Sequence, residues 1–168
     1  MSGRERMQDG WERALQAGEA PCDWRRALRW LRLQSLRFAG GSVDLGAEAA
    51  GNGESVRIGT DVVAVTVRDL GYWIPFAALR DVTGTCAARA NSDVAASLRA
   101  VVAGWVDTEL DPGDPDQMLW HSFITRSGRG YAGAVRRVSD AGIHLATRER
   151  SELFIPWDEL GAAIERLE

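Results

Sequence analysis

Hydrophobic positions follow two rhythms along this chain. From Trp24 to Leu33 they recur every third or fourth residue, at Trp24, Ala27, Leu28 and Leu31, with Arg25, Arg29 and Arg32 opposite. That spacing predicts an amphipathic N-terminal helix, with Asp23 as its cap. A second stripe, Val94, Leu98, Val101, Val102 and Trp105, predicts one long middle helix from a cap at Asn91 or Ser92 to near Leu110. Pro112 and Pro115 cannot continue it. Shorter helices are expected at Trp11 to Ala17, Phe76 to Val82 and Pro156 to Leu167. Elsewhere the pattern alternates or turns β-branched, which predicts strands around Leu36 to Phe38, Val43 to Leu45, Val56 to Ile58, Val62 to Val67 and Tyr72 to Ile74. Further strands are expected over Leu119 to Thr125, Tyr131 to Val138, Gly142 to Thr147 and Leu153 to Ile155.

Two stretches repeat one another. The run from Arg57 to Val65 sets Val63 and Val65 where the run from Arg137 to Leu145 has Ile143 and Leu145. Tyr72, Trp73, Ile74, Pro75 and Phe76 then match Leu153, Phe154, Ile155, Pro156 and Trp157, with one extra residue in the second turn. A fixed order of matching segments is the mark of an internal repeat. Each unit is expected to run strand, strand, helix, over residues 56–82 and 136–164, and the two are expected to seal a common interior. The fold class predicted is therefore α+β: mainly antiparallel sheet from two pseudo-repeated strand-strand-helix units, with the amphipathic N-terminal helix and the long middle helix. One domain spans 1–168, with residues 1–20 as a loosely packed leader. The run from Asp140 to Leu145, followed by Ile155, Pro156 and Trp157, resembles the strand pairs of bacterial PH-like modules. Those modules carry a further strand where Trp157 is expected to open a helix, and the resemblance implies no function.

Composition narrows the function classes. All 20 basic residues are arginine, and the chain is rich in Ala, Gly and Asp, which points to a GC-rich, bacterial coding sequence. A net charge of −4 disfavours a dedicated nucleic-acid binder, whose phosphate contacts demand a basic balance. No apolar stretch is long enough to cross a bilayer, and Met1 to Gly10 lacks an apolar signal core, so a cytoplasmic protein without a membrane partner is expected. The two cysteines, Cys22 and Cys86, are too far apart for a metal knuckle or redox pair and are expected to be reduced.

Candidate chemistry is sparse. His121 and His144 are the only histidines, each on a predicted strand, and no nucleophile, metal or phosphate-loop motif accompanies them. The acidic run Asp107, Glu109, Asp111, Asp114 and Asp116 fails as a calcium loop, because Pro112 and Met118 stand where glycine and glutamate are required. No catalytic residue, metal or cofactor is expected. The binding candidates are Trp11, Arg25, Arg29, Trp30, Arg32, Trp73, His144 and Trp157. Arginines with an interleaved ring suit an acidic partner, and Trp11 and Trp30 fall outside the core stripes as contact residues do. The function expected is a non-enzymatic accessory, regulatory or immunity-type protein acting on another protein. The alternative is a small-ligand domain or unusual enzyme with its cleft between the repeats, lined by Trp73, Trp157, His144 or Cys86. A homo-oligomer is left open.

Overall fold

The computed structural model describes residues 3–17, 35–44, 56–58, 62–80, 96–106, 120–149 and 151–167. Two α-helices are found there, α1 (Gly3–Ala17) and α2 (Ala96–Ala103). Ten strands accompany them: β1 (Ser35–Phe38), β2 (Gly41–Asp44), β3 (Val56–Ile58), β4 (Val62–Val67), β5 (Leu70–Pro75), β6 (His121–Thr125), β7 (Gly130–Val138), β8 (Gly142–Ala146), β9 (Glu152–Pro156) and β10 (Leu160–Arg166). Every pairing is antiparallel. β1 and β2 form a hairpin, and the rest make one sheet in the order β3-β4-β5-β10-β6-β7-β8-β9.

This architecture corrects the α+β expectation in three places. The middle helix is short, ending at Ala103, although Leu98, Val101, Val102 and Trp105 are buried as the stripe predicts. The strand-strand-helix units do not exist. After Pro75 and Pro156, both extended at φ −66° and −61°, the chain makes a single 3-10 turn, Phe76–Ala78 and Trp157–Glu159, and then straightens again. The expected terminal helix is β10, a strand at the centre of the sheet. Its residues Leu160, Ala163, Ile164 and Leu167 happen to recur at helical spacing. Both of its faces are covered, so no polar alternation reveals the strand. At Gly161 a side chain would run into the Ala39 carbonyl of the β1–β2 hairpin, so backbone packs on backbone there.

The repeated stretches nevertheless share their pairing register. Val63 opposes Ile74 as Ile143 opposes Ile155, Val65 opposes Tyr72 as Leu145 opposes Leu153, and Val62 opposes Pro75 as Gly142 opposes Pro156. Beyond the 3-10 turns, Ala39 N–H donates to Ala78 O at 2.6 Å as Arg126 N–H donates to Glu159 O at 2.7 Å. Leu79 bridges to Phe38 as Leu160 pairs with Thr125.

The two units share an interior in part: Val62, Ala64 and Trp73 of the first join Ile143, Leu145, Ile155 and Trp157 of the second, while the other face of the first unit packs elsewhere. Ile74 and Phe76 sit in one core with Leu36, Phe38, Val43, Val63 and Val65, while Ile155 and Trp157 sit in another with Phe123, Ile143 and Leu145. Successive residues of β4 divide between them, Val62 and Ala64 to the second core and Val63 and Val65 to the first. α2 covers the core that holds Trp157, and α1 lies on α2 and over β5, where Gly10 packs its backbone against the Trp73 ring. The sheet must also curl. Pro156 to Leu160 is four Cα steps, at most about 14 Å of chain, yet β9 lies four strands from β10 in the sheet, roughly 19 Å if flat. β6 to β10 therefore roll into a partly open barrel whose seam runs beside β9.

Candidate functional site

That seam holds a groove of about 200 Å³. One wall is the edge strand β9, through Leu153, Phe154 and Ile155; the other is the β6–β7 turn, through Thr125, Ser127, Arg129 and Tyr131, with Glu159 of the second 3-10 turn below. The groove has a polar end and an apolar end. At the polar end the turn is locked by its own hydrogen bonds: the Thr125 and Ser127 hydroxyls lie 2.9 Å apart, and Arg129 N–H donates to Thr125 Oγ1 at 3.1 Å. Those bonds fix the backbone and leave the exposed Arg129 and Glu159 side chains clear of any ion pair among the described residues. At the apolar end Phe154 is 43% exposed, the single large hydrophobic so placed among the described residues. Its ring rests on His144, centroids 4.8 Å apart. His144 Nε2 is in turn 3.2 Å from an Arg137 guanidinium nitrogen.

A second cluster lies buried beneath α1. Glu165 of β10 is 3% exposed and accepts a hydrogen bond from Trp73 Nε1 at 3.3 Å. The β10–β6 register, carried one residue further, sets Glu165 opposite His121, which is 2% exposed and stacked on Trp105 with centroids 4.2 Å apart. Burial pushes the Glu165 carboxyl above its ordinary value. The Trp73 N–H, the Arg6 and Arg13 guanidinium groups and the Trp105 indole pull it partly back. The cluster ties α1 to the sheet: Arg6 Nη2 also donates to Arg166 O at 3.0 Å.

Of the predicted binding residues, Trp73, His144 and Trp157 have side chains among the described residues. Trp73 and Trp157 are core residues, Trp157 donating from Nε1 to Ser139 O at 2.8 Å with the Arg99 guanidinium 5.7 Å from its ring. His144 stands half-buried beside the groove, under Phe154. Arg25, Arg29, Trp30, Arg32, Cys22, Cys86 and the acidic run from Asp107 to Asp116 lie outside the described residues; Trp11 is on α1 with its side chain outside them. The groove residues Arg129, Tyr131, Phe154 and Glu159 were not singled out by the sequence. The signal for Phe154 was its place between Leu153 and Ile155, where alternation sends it outward. Glu165 was hidden because a helical reading puts it on a wet face.

Among the described residues no group of three metal-ligating side chains occurs, and no helix is long and apolar enough to cross a membrane. No family model matches the chain, and neither a curated protein nor a solved structure matches it.

Proposed function

We propose that the protein is a non-enzymatic binding protein that acts through a protein-protein surface, and that the seam groove is that surface. The observation that carries this is Phe154. Leaving a large aromatic nearly half in water on an edge strand forgoes burial worth on the order of 1 kcal/mol, and a complementary partner side chain recovers it. A groove of about 200 Å³ is smaller than the roughly 300–1,000 Å³ of typical small-molecule sites. It suits one or two side chains of a macromolecular partner. The ligand-cleft alternative draws no support from Trp73 and Trp157, because both rings are core.

Photo-crosslinking in cells of the source organism tests this. A benzophenone side chain at position 154 is expected to give a discrete heavier adduct that Tyr131→Ala suppresses, whereas the same group at exposed Ala103 is expected to give none. No adduct at 154, or the same adducts from both positions, overturns the proposal.

A further inference from the structure

We infer that the groove takes an extended segment of a partner protein, which adds as a strand to the open edge of β9, anchored on the main chain of Phe154 and bearing an acidic side chain for Arg129. This rests on the groove being the recognition surface and adds the partner's conformation and chemistry.

The β8–β9 ladder determines which main-chain groups face outward. At one end Thr147 N–H donates to Ser151 O at 3.0 Å, and at the other Trp157 N–H donates to Ala141 O at 3.3 Å. Bonded and unbonded pairs alternate in an antiparallel ladder. Leu153 and Ile155 therefore bond to β8, while the main chains of Glu152, Phe154 and Pro156 turn the other way. Among the described residues β9 has no strand on that side, and no hydrogen bond reaches the Phe154 N–H or C=O. An orphan donor and acceptor on one residue, at the middle of an edge, match one residue of an added strand. Pro156 has no N–H, so the ladder stops there; the edge admits a short segment and resists indefinite stacking.

Side-chain chemistry follows from the same layout. A partner residue opposite Phe154 lies on the same face as its ring and beside Tyr131, which favours a β-branched or aromatic residue. At the polar end the Arg129 fork and the Ser127 hydroxyl form a donor-rich corner that suits a carboxylate. Glu159 beside it can accept from a main-chain N–H or an amine of the same segment.

The test pans a phage-displayed random heptapeptide library against the full chain, then measures the enriched peptides by titration and by amide exchange. Enriched peptides are expected to alternate β-formers with one acidic residue and to slow exchange of the Phe154 amide at least tenfold, on the order of one hydrogen bond gained. Phe154→Pro removes the outward N–H together with the ring, so it is compared with Phe154→Ala, which removes the ring alone; the proline is expected to weaken binding at least about fivefold beyond the alanine, with the peptide's Asp→Asn or Glu→Gln form weakened similarly against the unaltered chain. If the variant fails to fold, the exchange measurement on the unaltered chain still decides. Peptides that need Tyr131 but leave the Phe154 amide exchanging freely overturn strand addition and spare the groove reading. A library that yields no groove-dependent peptide overturns both. A dimer that Phe154→Pro dissolves assigns the edge to a second copy and overturns the partner segment.

Discussion

Glu165 and Phe154 are opposite departures from the rule that apolar groups go inside and charges outside. Glu165 is a carboxyl in a dry setting whose proton is held more tightly in the folded chain than in the unfolded one, because burial outweighs the donors around it. The protonated form therefore contributes stability that is complete below the ordinary value of 4.5 and lost as pH rises through the raised folded value. Glu165→Gln keeps an acceptor for Trp73 and has no proton to lose. Urea unfolding across pH 4 to 8 is expected to show the variant gaining on the natural protein as the pH increases; a constant difference refutes the assignment. Trp73→Phe removes the indole donor under α1 and is expected to cost about 1–3 kcal/mol, the penalty for leaving a buried acceptor short of a bond. Phe154→Ala, by contrast, removes a ring that is nearly half in water. Its expected effect on unfolding is within about 0.5 kcal/mol, measured in the same urea series, even though groove binding is lost.

Strands were legible where one residue type or one alternation dominated, and illegible where neighbours decided. Val62, Val63, Val65 and Val67 announce β4, and Leu153, Ile155 and Pro156 announce β9 and its end. The matched registers of the two ladders could be aligned from sequence because a turn and a proline pin each one. What followed each proline could not, since Phe76 to Leu79 and Trp157 to Ile164 are good helix-forming sequences on propensity alone. Tertiary contact overrides that preference: the strand lies between two others, and its small residues let the hairpin and the helices come close. Gly161→Ala is expected to separate the β1–β2 hairpin from β10 and lower the urea midpoint, while Gly130→Ala, with open space around it, leaves the midpoint in place. At the site, residue identities were visible and their meeting was not. Arg129 and Phe154 come together only through the curl of the sheet, which depends on the short path from Pro156 to Leu160.

The described residues form two cores back to back on one sheet, and β10 belongs to both. It carries Ala162 into the core under the β1–β2 hairpin and Leu160 and Ala163 into the core under α2, while pairing with β5 on one side and β6 on the other. Ending the chain at Glu159, which keeps both rings, is expected to remove the sheet's centre and abolish both cores, so that near-ultraviolet circular dichroism loses the Trp73 and Trp157 signals together. Retention of either signal counts against a shared strand. The position of β10 also bears on kinetics. The neighbouring ladders of β6 to β9 close only short loops, each on the microsecond scale typical of hairpins. Joining Trp73 to Ala163 closes just over half of the polypeptide into one ring, and that entropy must be met before either face is dry. Refolding is thereby expected to wait on one long-range encounter that zips both cores together.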